Sequence, residues 1–198
     1  MKNKVTTALA GGLGNFMFQV AVAYAYAKRY DREAGFSAQQ ARGPHRAAWD
    51  YQENIFKDVD LVFNGQGNVR QHQEHGFHYQ EIPDYPNRDV FLSGYFQSEK
   101  YFKECESEIR ELFMSYDVEV SDEIKELLEN SNTCSIHVRR GDYLNHPDHH
   151  PTQGMNYFLK ATKKMPKDSV FLIFSDDINW CKENFPDLPE KFRFVEGN

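Results

Sequence analysis

VFLIFSDDINWCKENFPDLPEKFRFV, residues 170–195, contains a strand–helix–strand unit. The apolar run Val170–Phe174 predicts a buried strand, the spacing of apolar residues in Ile178–Phe185 predicts a helix, and Phe192–Val195 predicts a second strand. Two strands joined by one helix normally lie parallel in a sheet, and the ligands of such sheets bind at the carboxyl ends of the strands. The unit therefore indicates an α/β fold and directs attention to the polar residues that follow its first strand.

The same alternation extends toward the amino terminus. Cys134–Val138 predicts a strand and Met155–Lys164 a helix, while Val5–Leu9 predicts a strand that leads through a glycine-rich turn into an apolar helix over Asn15–Tyr30. Glycines and an asparagine interrupt this apolar stretch near its middle. We therefore expect a buried helix there and not a secretory signal peptide.

The middle of the chain is less regular. Residues 38–88 are rich in Gln, His, Asn, Gly and Pro and predict a long irregular segment, after which Asp89–Phe96 returns to strand character. Ser98–Met114 has a helical period of apolar residues and predicts one amphipathic helix. Ser121 predicts the cap of a further helix, and we place a boundary between two lobes near residues 116–121.

The composition excludes several classes of protein. The chain has 198 residues, 40% of them apolar and 27% charged, and its 23 basic and 30 acidic residues give a net charge of −7. These values are typical of a globular protein with a sizeable core, and they argue against a disordered chain or a nucleic-acid coat. Three scattered cysteines predict free thiols in a reducing compartment, which fits a cytoplasmic location, and predict neither a disulfide framework nor a zinc site.

The glycine-rich turn Gly11–Asn15 is the first candidate site. A turn of this kind brings backbone N–H groups and a helix amino terminus to one point, which favours an anionic or polar ligand. It matches neither the dinucleotide fingerprint nor a phosphate loop, so it gives little support to a dinucleotide or ATP site. The alternatives are a tight turn that requires positive φ and, for Asn15, an ordinary helix cap.

The stretch Ser135–Tyr143 (SIHVRRGDY) is the second candidate. Alternation along a strand places His137 and Arg139 on one side and Arg140 on the other. Arginines where a parallel strand meets its loop suit a phosphate or diphosphate, because guanidinium binds such oxygens in a fixed fork. The alternative is a structural ion pair between an arginine and Asp142.

Two further clusters carry carboxylates or imidazoles. Ser175, Asp176 and Asp177 follow a strand, where the carboxylates could hold a metal or accept from a guanine edge, or where Ser175 or Asp176 could cap the next helix. His146–His150 (HPDHH) contains three histidines, but its spacing matches no common metal motif and favours a solvated loop. Asp148 or a histidine of this loop could act as a base near a bound sugar.

Four stretches together carry a family resemblance. They are Ala10–Asn15 with Met17–Gln19 (AGGLGN, MFQ), Leu92–Phe102 (LSGYFQSEKYF), His137–Tyr143 (HVRRGDY), and Phe174–Asp177 (FSDD) with Trp180. In sequence and order they resemble the landmarks of the α-1,2-fucosyltransferases, glycosyltransferase family 11. The arginine-rich stretch also resembles a motif of the α-1,6- and protein O-fucosyltransferases.

The resemblance implies a GT-B-like α/β fold of two Rossmann-like lobes with parallel sheets. Residues 1–117 would form the amino-terminal, acceptor-side lobe, and residues 118–198 a partial GDP-sugar donor-binding lobe that is incomplete. The implied enzyme is an inverting galactoside α-1,2-fucosyltransferase, which moves L-fucose from GDP-fucose to the 2-hydroxyl of a galactose-containing glycan. It would need no metal and no cofactor.

The resemblance also assigns roles. Arg139 would grip the donor β-phosphate and stabilise the leaving GDP, and Asn15 would lie near the sugar or acceptor. Inversion needs a base on the side of the acceptor hydroxyl, for which Asp142 and Asp148 are the candidates. The expected donor-binding residues are Gly12, Gly14, His137, Arg139, Arg140, Ser175, Asp176 and Asp177.

Two departures from the family pattern lead to further expectations. Phe16 stands where the family usually has Gln, and we expect it to alter acceptor contacts beside Asn15. The family continues into a carboxyl-terminal segment that completes the donor pocket, whereas this chain ends at Asn198, so the alternative function is an inactive GDP- or glycan-binding protein. The sheet edge after Val195 favours a homo-oligomer, and a lipid-linked acceptor would bring peripheral membrane contact.

Overall fold

The computed structural model describes residues 2–7, 9–36, 47–61, 69–114 and 120–196. The chain divides into two compact units, Met1–Val118 and Glu119–Asn198. Most of the expected lobe boundary, residues 116–119, lies outside the described residues, as do residues 38–46 and 62–68 of the segment predicted to be irregular. Each unit contains its own parallel sheet and its own core, so the α/β fold with parallel sheets is confirmed.

Unit 1 contains a four-stranded sheet with the strand order β2-β1-β4-β3, in which each neighbouring pair is parallel. The strands are β1 Lys4–Thr7, β2 Glu33–Ala34, β3 Val69–Gln73 and β4 Asp89–Ser93. The central strands β1 and β4 bury their apolar residues, whereas β3 at the edge is exposed along most of its length. All four carboxyl ends therefore lie at one edge of this sheet.

Helix α1, Leu13–Arg29, is the largest single part of the core of unit 1. Its central run of alanines, valines and aromatic residues is buried, and Lys28 and Arg29 in the last turn complement the negative end of the helix dipole. Helix α2, Glu106–Met114, adds Ile109 and Phe113 to the same core. A short 3-10 helix, Ala48–Tyr51, lies in the segment predicted to be irregular.

Two expectations for the secondary structure between β2 and α2 are wrong. The segment predicted to be irregular contains β3, whose sequence VRQHQ is polar and lacks the alternation that marks a half-buried strand. The helix expected over Ser98–Met114 is broken: two 3-10 turns, Glu99–Tyr101 and Lys103–Cys105, precede α2. The break falls at Phe102, whose backbone has φ −134° and ψ 16° and is not helical.

Unit 2 contains a parallel sheet with the strand order β5-β6-β7. Its elements are α3 Asp122–Asn130, β5 Thr133–Val138, α4 Met155–Thr162, β6 Val170–Ser175, α5 Ile178–Asn184 and β7 Phe192–Phe194. Ser121 caps α3 as expected, accepting from the Ile124 N–H at 3.4 Å. The core is mostly aromatic and is made of Val138, Phe158, Phe171, Ile173, Cys181, Phe185 and Phe192.

The three cysteines are free, as the sequence predicts. Cys105 and Cys181 are buried, and burial raises the pKa of both thiols. Among the described residues, no helix is both long and apolar enough to cross a membrane.

Candidate active site

Arg139 lies immediately after β5, at the carboxyl edge of the sheet of unit 2. Its Nη2 donates to Asp142 Oδ1 at 2.6 Å, its Nε lies 3.2 Å from Asp176 Oδ2, and its guanidinium carbon lies 5.3 Å from the centre of the Tyr143 ring. The side chain keeps 37% of its surface exposed. Two carboxylates therefore orient an arginine that solvent, and hence a ligand, can still reach.

Asp176 braces the loop that carries Arg139. Its Oδ1 accepts from the Arg140 backbone N–H at 2.8 Å while its Oδ2 faces the Arg139 guanidinium. Gly141 leaves room for this carboxylate, because a Cβ at Gly141 would lie 2.6 Å from Asp176 Oδ2. Both oxygens of Asp176 are thus engaged by the two consecutive arginine residues.

Arg140 is held more tightly than Arg139. Its Nε donates to Asp177 Oδ2 at 3.0 Å, its guanidinium carbon lies 4.0 Å from the centre of the Trp180 ring, and its side chain is only 16% exposed. Asp177 also caps α5, since its Oδ1 accepts from the Trp180 N–H at 3.3 Å. The expectation that Ser175 or Asp176 caps this helix is therefore wrong.

Ser175 joins the ends of two neighbouring strands. Its hydroxyl donates to the Val138 carbonyl at 2.7 Å and accepts from the Asp177 N–H at 2.9 Å. His137, next to the buried Val138, is exposed. The structure thus brings Arg139, Arg140, Ser175, Asp176 and Asp177 to one sheet edge.

The loop after Arg140 begins with a short 3-10 helix, Asp142–Asn145. Tyr143 stacks on His150 with ring centres 4.5 Å apart and planes at 18°, and Asp148 is exposed in the turn between them. Of the two expected base candidates, Asp142 lies against Arg139 and Asp148 lies in an exposed turn.

Within the described part of the chain, no group of three or more His, Cys, Asp or Glu side chains is arranged to hold a metal.

In unit 1 the glycine-rich turn leads into α1, whose cap is Gly12, so the alternative that Asn15 is the cap residue is wrong. Asn15 Oδ1 accepts from Gln97 Nε2 at 2.6 Å, and Gly11, with φ +88°, leaves room for the amide, because a Cβ there would lie 2.2 Å from Asn15 Nδ2. The side chain of Phe16 is fully buried in the core of unit 1, and its expected effect on acceptor contacts stays a prediction.

Sequence reasoning gave no role to Gln19, which is 1% exposed in the middle of the apolar helix. Its Oε1 accepts from the Ala10 N–H at 2.9 Å, and its Nε2 donates to the Gly94 carbonyl at 3.0 Å. The glycine-rich turn and the loop after β4 are thereby joined through one buried amide. A lone amide in an otherwise apolar helical run is the signal that could have identified it.

The pattern of one known family fits the entire chain: glycosyl transferase family 11 matches residues 1–198. The chain belongs to glycosyltransferase family 11. This family 11 member is 26% identical to the alpha-1,2-colitosyltransferase of Escherichia coli, over a region that covers 98% of this chain and 77% of the E. coli protein. It is 35% identical to an O-antigen biosynthesis glycosyltransferase of Escherichia coli over a shorter region, 34% of this chain and 24% of that protein.

Two solved structures share the fold of this family 11 member. The crystal structure of the fucosyltransferase NodZ from Bradyrhizobium superposes with a TM-score of 0.52 at 13% identity, covering 100% of this chain and 79% of that one. A NodZ alpha-1,6-fucosyltransferase co-crystallized with GDP gives a TM-score of 0.51 at 13% identity, covering 98% and 78%. At this identity the likeness concerns the fold. Membership of family 11 identifies the chain as a glycosyltransferase.

Proposed function

We propose that this protein transfers L-fucose from GDP-fucose to the 2-hydroxyl of a galactoside acceptor, with inversion at the anomeric carbon and without a metal ion. The proposed donor-binding residues are those at the sheet edge of unit 2 together with Gly12 and Gly14, and Asn15 is proposed to meet the acceptor. The observation that carries the proposal is the Arg139 guanidinium, which is oriented by two carboxylates and half-exposed at the carboxyl edge of a parallel sheet. Free cysteines support a cytoplasmic location.

Arg139 would stabilise the departing nucleotide. Breaking the bond between the sugar and the diphosphate leaves negative charge on the β-phosphate oxygens, and a donor already aimed at that point stabilises the transition state without reorganising. The contacts of Arg139 with Asp142 and Asp176 use Nη2 and Nε, and Nη1 is the group that would approach a phosphate oxygen. Arg140, fixed against Trp180, adds a second positive charge to the same edge.

Asp142 and Asp148 are the base candidates for the acceptor hydroxyl. Three carboxylates, of Asp142, Asp176 and Asp177, face the two arginines. Donor phosphate would compete with these carboxylates for the guanidinium groups.

The proposal predicts acceptor-dependent release of GDP. When the chain is incubated with GDP-fucose, lactose should raise the rate of GDP release well above the rate in its absence, and NMR of the product should show fucose on the 2-hydroxyl of galactose. A colitosyl donor is the matched comparison, because the E. coli relative is named for that sugar. Binding of GDP without release from either donor would instead identify a binding protein, and a product linked elsewhere would contradict the α-1,2 assignment.

The same assay tests metal independence. Both oxygens of Asp176 and one oxygen of Asp177 already face arginine donors at 2.8–3.2 Å, so a cation would have to compete with two guanidinium groups for these carboxylates. We expect the rate of GDP release to be unchanged after dialysis against EDTA. A loss of rate that added Mg²⁺ restores would contradict this prediction and assign a metal to the two carboxylates.

A further inference from the structure

We infer that Glu74 is a positioning residue for the acceptor side of the site. It acts through the turn Gly94–Gln97 on the amide pair formed by Gln97 and Asn15. The inference rests on the proposed function, because it assumes that Asn15 meets the acceptor. Glu74 lies directly after the edge strand β3, in a segment whose sequence predicts no structure, and no motif of the sequence marks it.

The Glu74 carboxylate accepts hydrogen bonds from two consecutive backbone N–H groups. Its Oε2 lies 2.8 Å from the nitrogen of Tyr95 and 2.8 Å from the nitrogen of Phe96, and the Tyr101 hydroxyl lies 3.5 Å from its Oε1. The Glu74 N–H in turn donates to the Ser93 carbonyl at 2.8 Å. Hydrogen bonds that involve an ionised group are about twice as strong as neutral ones, so this carboxylate is the main polar support of the turn.

The turn needs such support because its backbone is unfavourable. Phe96 has φ +51°, a conformation that costs a non-glycine residue free energy, while its side chain is fully buried. Gly94 has φ +156°, and a Cβ there would lie 2.4 Å from the Cβ of Glu74, so the two residues touch. Glu74 and the buried Phe96 ring together hold a conformation that the local sequence does not favour.

The turn determines the position of Gln97. Its Nε2 donates to Asn15 Oδ1 at 2.6 Å, which joins the loop after β4 to the first turn of α1. The Asn15 amide is confined between this bond and the backbone of Gly11. Two uncharged amides at the carboxyl edge of the sheet offer donors and acceptors suited to the hydroxyls of a neutral glycan. Within the described part of the chain, no hydrogen bond joins Glu74 to either amide, so Glu74 acts by placing them.

The experiment compares Glu74→Ala with Glu81→Ala, an exposed glutamate seven positions later that serves as the matched control. Loss of two charge-assisted bonds should raise the KM for lactose about tenfold, while the KM for GDP-fucose stays within about twofold of wild type. Glu74→Gln keeps an oxygen that can accept from both N–H groups, so its KM for lactose should lie between those of wild type and Glu74→Ala. Glu81→Ala should behave as wild type.

Three results of these assays would overturn the inference. An equal rise in the KM of both substrates is one, and a lower melting temperature with both KM values unchanged is another; either is the signature of a merely structural role. The third is an undiminished effect of Glu74→Ala when Asn15→Ala is already present, because a residue that acts through Asn15 has nothing left to position.

A readout that needs no turnover separates this inference from the proposed function. In NMR spectra, the side-chain amide signals of Asn15 and Gln97 should move in Glu74→Ala and stay in place in Glu81→Ala. If the wild-type chain transfers no fucose, the proposed function fails, and these signals alone decide whether Glu74 positions the amide pair. Unmoved signals overturn the inference whatever the activity.

Discussion

Replacing Arg139 by alanine lowers the turnover of GDP-fucose by about 100- to 1,000-fold, the usual cost of removing one preorganised donor from a developing negative charge. The fold should persist, because the ion pairs of Arg139 are partly exposed, with 37% of the Arg139 side chain and 40% of the Asp142 side chain accessible, and such pairs contribute at most about 1 kcal/mol. The measurement is the rate of GDP release at saturating lactose, alongside the melting temperature.

Two further variants give this result its meaning. Arg139→Lys keeps the charge but loses the planar fork, so it should recover only part of the lost rate. Arg110→Ala removes another exposed arginine, one that pairs with Glu106 on α2, and should leave the rate of GDP release unchanged. A wild-type rate in Arg139→Ala would remove the proposed role of Arg139 and, with it, the observation on which the donor site in unit 2 depends.

The elements that could be predicted from the sequence are those whose burial leaves a periodic signal. Strand β6 is a continuous apolar run, and its central residues are buried on both faces, so its position was predictable to within one residue. Strand β3 was not, because an edge strand with exposed polar side chains forms through backbone hydrogen bonds to β4, which no side-chain pattern records. The helix predicted over Ser98–Met114 is interrupted because the backbone of Phe102 departs from helical geometry. The spacing of apolar residues in that segment does not record this departure.

The candidate site likewise contains contacts that could be predicted from the sequence and contacts that could not. The pair formed by Arg139 and Asp142 spans three positions and could be stated from the sequence as an alternative to phosphate binding. Arg140 and Asp177 are 37 positions apart, and Asn15 and Gln97 are 82 apart, so their contacts follow only from the order of strands in each sheet. Local patterns therefore indicated candidate site residues but not which of their atoms are already engaged.

Replacing Gly141 by alanine should lower turnover by about 100-fold. The new Cβ would lie 2.6 Å from Asp176 Oδ2 and 3.1 Å from its Cγ, closer than a methyl group can approach. The carboxylate therefore has to swing away. In moving, it releases both Arg139 Nε and the Arg140 backbone N–H, and a displacement of about 1 Å in a group that aligns reactants can cost this much rate.

Gly154→Ala is the matched control, because Gly154 lies in the same unit as Gly141 and a Cβ there would meet nothing within 4 Å. We expect its kcat and melting temperature to equal those of wild type. If Gly141→Ala keeps the wild-type rate of GDP release, the brace between Asp176 and Arg139 is not needed for transfer, and Arg139 must be oriented by Asp142 alone. If Gly141→Ala unfolds instead, the loop tolerates no shift of Asp176, and the double variant Gly141→Ala with Asp176→Ala decides: with the carboxylate gone, stability should return while turnover stays low.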